Sequence, residues 1–277
     1  MLSLHNAYAQ RGGNTLLNDV SLSVAAGECV VIVGPNGAGK SSALKALSGD
    51  LTLQSGAVHL NDTSIDQFTP LELAQRRAVL TQSYELAFPF SVTEVVEMAS
   101  FCFQEQCSKQ QLADYALKAI DEVEVNHLAN KCFTTLSGGE QQRVQLARVL
   151  AQLSPALEPS VIAKQGTPYL LIDEPTSSLD LYHQYHVMSL ARAAADRGAG
   201  VIIVVHDLSL AASFADKLYI LKNGKLVTSG KARDVLTSDF LREVYNVDAS
   251  LTLASGQLPH LVISQHNQCI KKTTCAK

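Results

Sequence analysis

The chain has 277 residues, 47 % apolar and 17 % charged, with a formal net charge of −4 and an isoelectric point near 6.1. That length can build one substantial core, alone or with a small appended lobe, and the composition is that of a folded globular protein. The charge balance excludes a chain that holds nucleic acid by bulk charge. No apolar run approaches the ~20 residues that cross a bilayer, and the N-terminus lacks the basic-then-apolar order of a signal peptide. Any membrane role is therefore expected to come through a partner. The six cysteines, Cys29, Cys102, Cys107, Cys132, Cys269 and Cys275, form no CxxC pair and match no zinc or iron–sulfur spacing, so reduced thiols of a cytosolic protein are expected.

In chain order, Leu16-Leu17 leads into the alternating Val20–Val24 strand. After the Ala26-Gly27-Glu28 turn, Cys29–Val33 reads as a buried strand. A glycine-rich loop follows at once, and Ser41–Leu47 begins a helix with Leu44 and Leu47 on one face. Ala57–Leu60 with its Asn61-Asp62 turn and Ala78–Thr81 ending at Gln82 are further strands. Residues 91–130 read as mostly helical, and Ser137-Gly138-Gly139 punctuates them before a helix over Glu140–Leu153. Residues 154–168 read as a linker rich in proline and small residues. Tyr169–Ile172 is a core strand, Tyr182–Arg197 a helix and Val201–Val205 another buried strand. Leu218–Leu221 and Leu226–Thr228 flank Asn223-Gly224, a hairpin signal, and residues 231–247 read as helical. The alternation of strand and helix predicts an α/β fold with a mostly parallel sheet.

The loop Gly34-Pro35-Asn36-Gly37-Ala38-Gly39-Lys40-Ser41 carries the chemistry of a P-loop. Its glycines let backbone N–H groups wrap around phosphates, and the following helix adds its positive end. Lys40 would reach the β- and γ-phosphates, and the Ser41 hydroxyl would bind Mg²⁺. Ser42, next on the helix, belongs to the same binding segment. Asp173, at the end of a buried strand, is the second candidate metal ligand, and Glu174 beside it could polarise an attacking water. Gln82, Asp180 and His206 sit at or beyond other strand ends, which converge on one crevice in a parallel sheet. His206 could hydrogen-bond a γ-phosphate; Gln82 could sense it or bind the metal. Together these elements argue for ATP or GTP hydrolysis.

Leu136-Ser137-Gly138-Gly139-Glu140, followed by Gln141-Gln142-Arg143, resembles the signature motif of ATP-binding cassette (ABC) ATPases. The resemblance covers residues 2 to 247 and places every motif in family order: P-loop 34–41, loop glutamine Gln82, signature 136–140, Asp173 and Glu174, the dimer loop Ser178-Leu179-Asp180 and the switch histidine His206. It implies a P-loop NTPase (RecA-like) core with an N-terminal antiparallel β subdomain and an inserted helical signature-motif subdomain over about 84–155. It implies a single domain over 1–250, with 251–277 a short C-terminal extension; the last residues are expected to be frayed and disordered. It also implies a head-to-tail pair of this chain, each ATP with its Mg²⁺ lying between one copy's P-loop and the other copy's Ser137 and Gly139. At the position of the family's adenine-stacking aromatic this sequence departs from the pattern with Arg11; Arg11 could stack on the base, Tyr8 close by could fill the site, or adenine is held loosely.

Phe88-Pro89-Phe90-Ser91-Val92-Thr93-Glu94-Val95-Val96 and His206-Asp207-Leu208-Ser209-Leu210-Ala211-Ala212 resemble the ATPases of iron–siderophore, haem and cobalamin importers, and the stretch 154–168 resembles haem importers most. Such a subunit would lie on the cytoplasmic face of the bacterial inner membrane. It would dock two permease subunits through the 88–91 region, serve a periplasmic substrate-binding protein through them, and bind no nucleic acid. A soluble ABC ATPase without a permease is the alternative of another class.

Overall fold

The computed structural model describes residues 1–82, 88–252 and 259–263. The start of the expected helical subdomain at 84, Cys269, Cys275 and the expected disorder of the last residues all lie outside the described residues.

The chain opens with β1 (Leu2–Arg11) and β2 (Asn14–Val24), reversed through Gly12-Gly13. Then follow β3 (Cys29–Val33), α1 (Lys40–Ser48), β4 (Ser55–Leu60), β5 (Thr63–Ser64), α2 (Pro70–Arg76) and β6 (Arg77–Leu80). The next stretch is helical: α3 (Val92–Glu97), a 3₁₀ segment over Met98–Phe103, α4 (Lys109–Glu122), α5 (Gly138–Ala156) and α6 (Pro159–Gln165). The second half alternates, with β7 (Tyr169–Asp173), α7 (Leu181–Asp196), β8 (Gly200–Val204), α8 (Leu208–Phe214), β9 (Lys217–Lys222) and β10 (Lys225–Gly230). It ends with α9 (Ala232–Val235), α10 (Ser238–Tyr245), β11 (Ala249–Thr252) and β12 (His260–Ile263).

The central sheet has the order β10-β9-β3-β8-β7-β6. All its neighbours pair in parallel except β9 with β10, the hairpin over Asn223-Gly224. Both faces are covered, which is why β3, β7 and β8 read as unbroken apolar runs rather than alternating ones. Val30 and Ile32 of β3 pack into the core shared with α1 and the N-terminal antiparallel sheet, ordered β2-β1-β4-β5. Cys29, Val31 and Val33 face the other core, which takes in Val92, Val95 and Val96 of α3, Ile120 of α4 and Val144 of α5. Helices α2, α3, α4 and α5 each open on a capping box, at Thr69/Glu72, Ser91/Glu94, Ser108/Gln111 and Ser137/Glu140. Serine or threonine followed three residues later by Glu or Gln satisfies two orphan helix donors reciprocally, so these starts are fixed locally.

The structure corrects two readings. Residues 154–168 are not an extended linker: α5 runs on through Pro155 to Ala156, and α6 fills most of the remainder. Pro155 lies in the last turn of α5, and Pro159 occupies the first turn of α6, where a missing N–H costs nothing. The helix over 231–247 is two helices, because Thr237 breaks away after α9 and caps α10. Beyond Asp248, β11 and β12 pair antiparallel, and the Leu261 amide donates to Ser209 Oγ at 3.0 Å on α8.

One clamp fastens the N-terminal sheet to the central sheet. The Asn61 amide donates to the carbonyl of Thr167 at 3.0 Å, and its Oδ1 accepts from the hydroxyl of fully buried Tyr169 at 2.7 Å. Removing one partner strands the others away from water. Asn61→Ala is therefore expected to destabilise the chain by about 1–3 kcal/mol, measured by equilibrium urea denaturation. A midpoint equal to the parent's would contradict the clamp.

Candidate functional site

Four parallel strands deliver the site. Their carboxyl ends lie side by side, so the residues just beyond β3, β6, β7 and β8 meet at one edge. Beyond β3 the chain turns through Gly34 with φ +153°, and a side chain there would collide with the Leu221 carbonyl. Gly39, with φ +99°, starts α1; a Cβ on it would stand 2.6 Å from the Leu16 carbonyl oxygen. The loop is thus pressed against β2 and against the β9–β10 hairpin, whose Gly224 amide donates to the Ala38 carbonyl at 3.0 Å. Only glycine fits at 34 and 39, which lets the loop wrap closely around a ligand; between them, the Ala38 amide turns back to the Pro35 carbonyl at 3.1 Å.

Lys40 is 5 % exposed and donates to the carbonyls of Gly34 at 3.0 Å and Pro35 at 3.1 Å. It makes no ion pair among the described residues. Burial lowers its pKa, opposed by the nearby charges of Glu174 and Asp173. Asp173 is buried at the end of β7 and accepts from the Ser41 hydroxyl at 3.0 Å. Burial raises its pKa; the Ser41 bond opposes that rise. A buried carboxylate beside a hydroxyl is a hard, oxygen-only donor set, which suits Mg²⁺ rather than a softer metal. Ser41 and Asp173 fit that ion; Gln82 is close enough to Glu174 to belong to the same site.

Glu174 has a left-handed backbone, φ 50°, uncommon for a side chain of its size. Its amide still donates to the Val204 carbonyl at 3.0 Å, so the strand ladder continues while the side chain is re-aimed. One carboxylate oxygen accepts from Gln82 Nε2 at 2.7 Å, and the other lies 2.5 Å from His206 Nε2. Strand ends β6, β7 and β8 are thereby joined through one carboxylate. A cleft of 440 Å³ opens here, lined by Asn36, Gly37, Gly39, Lys40, Ser41, Ser42, Gln82, Glu174 and His206. Thr15 and Leu16, from the start of β2, line its flank. A larger hollow of 610 Å³ lies between the 3₁₀ segment and α4, but no phosphate-loop residue borders it, so the chemistry belongs to the smaller cleft.

Arg11 is exposed at the end of β1, opposite Asn14, and Tyr8 is half-buried with its hydroxyl against Gln10. Neither is among the residues lining the cleft; Thr15 and Leu16, four and five residues beyond Arg11, are. Nothing in their residue types marked them out.

The signature is not brought into this cleft. Ser137 caps α5 with its side chain toward solvent, accepting from the Glu140 amide, while the Glu140 carboxylate accepts from the Ser137 amide at 2.8 Å. The Ser137 hydroxyl and amide together hold the Glu140 carboxyl below its ordinary pKa. Gly138 faces open space, and Gly139 lies against the Ser178 carbonyl and Leu179. Leu136 is buried beneath them. Asp180 caps α7 by accepting from the His183 amide at 2.9 Å. The signature and the dimer loop therefore touch each other and face outward, while the P-loop and Glu174 face the cleft. Sequence reasoning missed Gln142, which bridges the two groups: Nε2 donates to the Glu174 carbonyl and Oε1 accepts from Ser178 Oγ, both at 3.1 Å.

The family model described as ABC transporter matches residues 17–158. The hemin import ATP-binding protein HmuV of Pseudoalteromonas translucida (strain TAC 125) is 52 % identical over 262 residues, covering 94 % of this chain and 98 % of that protein. HmuV of Hahella chejuensis (strain KCTC 2396) is 44 % identical, covering 91 % and 93 %. Among solved structures, the dimeric bacterial ABC transporter cassette MJ0796 matches with a TM-score of 0.72 at 27 % identity, covering 84 % of this chain and 99 % of the cassette. Its post-hydrolysis state bound to ADP and Pi matches with a TM-score of 0.71 at the same identity and coverage. A glycine loop, a buried Asp-Glu strand end and an outward-facing signature helix thus occur together in the fold that such cassettes share, and the chain belongs to the ABC transporter family.

Proposed function

We propose that this chain is the ATP-hydrolysing subunit of a haem importer, working as a head-to-tail pair. The observation that carries the reading is the Glu174 carboxylate, held between Gln82 and His206 at the mouth of the cleft that Lys40 and Ser41 line. The relationship to hemin import ATP-binding proteins over nearly the whole chain supports the cargo.

ATP places its β- and γ-phosphates against the loop amides and the Lys40 ammonium. Thr15 and Leu16 flank the base end of the cleft, with Tyr8 or Arg11 as the adenine contact. Glu174 takes the proton of a water that attacks the γ-phosphorus. The bond to the bridging oxygen breaks, leaving ADP and inorganic phosphate. His206 Nε2–H meets Glu174 and orients that carboxylate; once ATP is bound, it donates to the γ-phosphate instead. Mg²⁺, when bound, neutralises phosphate charge; Ser41, Asp173 and Gln82 would hold it. The outward-facing Ser137 and Gly139 supply a helix N-terminus and a hydroxyl to the γ-phosphate on a second copy, which explains why they are absent from their own chain's cleft.

No helix of the described residues is long and apolar enough to cross a membrane. On this reading, coupling runs through two permease subunits and, through them, a periplasmic substrate-binding protein, with this chain on the cytoplasmic face of the bacterial inner membrane. Phe88 is 68 % exposed, a large apolar side chain facing water, which suits the 88–91 region as the docking point.

Glu174→Gln is expected to keep nucleotide affinity and lower turnover by at least ~100-fold, read by phosphate release; turnover near the parent's would remove Glu174 as the catalytic carboxylate. Lys40→Ala should weaken ATP binding by ~10-fold or more, read by isothermal titration calorimetry, and parental affinity would contradict its phosphate role. Reconstituted in liposomes with its permease, the chain should accumulate haem in an ATP-dependent way. Uptake of a ferric siderophore or cobalamin but not haem would overturn the cargo, and full hydrolysis with no permease bound would overturn the importer reading.

A further inference from the structure

Gln142 lies on α5, five residues after Ser137, and it makes two hydrogen bonds that leave the helix in different directions. Nε2 donates to the backbone carbonyl of Glu174, and Oε1 accepts from the Ser178 hydroxyl, each at 3.1 Å. Ser178 in turn presses its own carbonyl toward Gly139, within 3.1 Å of where a Cβ would stand. The side chain also borders a small polar hollow of 110 Å³, shared with Gln82, Asp173 and Ser178. One neutral amide thus touches the helix that carries the signature, the loop that precedes α7 and the residue holding the reactive carboxylate.

The contact to Glu174 falls on a backbone with little tolerance. A left-handed φ at a glutamate persists only when its surroundings hold it. On one side the Glu174 amide is held by Val204, and on the other the carbonyl is held by Gln142. The next residue is Pro175, which has no amide to offer. The carboxylate is aimed by this peptide before Gln82 and His206 meet it.

We infer that Gln142 is a positioning residue, which ties the signature end of α5 to the backbone of Glu174 within one chain. The inference rests on the proposed roles of Glu174 and of the signature. In a head-to-tail pair, Ser137 and Gly139 of a chain read the nucleotide bound by its neighbour, while its Glu174 acts on its own nucleotide. A tilt of α5 on meeting the neighbour's γ-phosphate is passed by Gln142 to the peptide that aims Glu174. Each chain thereby sets its own carboxylate according to whether the other site is filled.

The test uses the full chain and measures Mg-ATP turnover in Gln142→Leu, Ser178→Ala, their double variant and Glu174→Gln. Leucine keeps the volume and removes both bonds. Gln142→Leu should lower kcat about tenfold with KM for ATP within about twofold, because the carboxylate is misaimed while the phosphate loop is intact. Ser178→Ala should lower kcat less, and the double variant should be no slower than Gln142→Leu, since both act through one bridge. A kcat within about twofold of the parent, or a KM that rises as much as kcat falls, would overturn the inference; the second result marks a general disturbance of the cleft. If Gln142→Leu does not fold, Ser178→Ala decides: lowered kcat at constant KM supports the bridge, and parental kcat overturns it. Glu174→Gln separates the two levels. If it is slow while Gln142→Leu is fast, only the bridge fails. If it too retains turnover, the catalytic assignment fails and the bridge with it.

Discussion

A buried ammonium without a carboxylate partner organises this protein. Lys40 sits under the loop that begins at Gly34, held by two backbone carbonyls and by no ion pair among the described residues. Burying a cation whose direct contacts are backbone carbonyls is costly, and burial lowers its pKa, opposed by the charges of Glu174 and Asp173. The fold sustains the arrangement because the loop is pinned from behind by Leu16, Leu221 and Gly224. The charge is complemented when a polyphosphate enters. The loop runs straight into the start of α1, so one strand-to-helix turn supplies the helix dipole and the cation together. The doubly covered sheet behind it is what makes that turn rigid.

The second half of the chemistry depends on strand order. Because β6, β7 and β8 are adjacent and parallel, Gln82, Glu174 and His206 meet at their ends, though 92 and 32 residues of sequence separate the bonded pairs. A carboxylate gripped by two side chains is oriented before substrate arrives, and such preorganisation is the largest part of what a phosphoryl-transfer site contributes. The signature stands on the opposite logic. Its helix start is capped by Glu140 and faces solvent, away from the cleft of its own chain.

The motifs were legible in the sequence because each is local. The P-loop, Asp173-Glu174, the signature and the Asn223-Gly224 turn all lie within a few residues, and their backbone demands leave glycine or carboxylate signatures. Strand β3 was read to the residue, since a parallel strand covered on both faces is an apolar run bounded by turns. The misreadings have physical causes. Pro155 and Pro159 look like breakers, but one closes a helix and the other starts one, and composition alone does not distinguish those positions. Gln142 and the Asn61–Tyr169 clamp act through tertiary contacts whose partners are 32 and 108 residues away. Thr15 and Leu16 reach the cleft only because β2 packs beside the loop.

The central claim is that the site is shared: a phosphate loop and acidic pair from one chain, a signature from another. Mixing two inactive variants measures this directly. Ser137→Arg blocks only the signature, and Lys40→Ala disables only the phosphate loop. In a head-to-tail pair of one chain of each kind, one site combines the intact loop of the first with the intact signature of the second. The account predicts that ATP hydrolysis, absent from either variant alone, returns on mixing. Continued silence of the mixture, with both variants folded and able to pair, would contradict a site built from two chains.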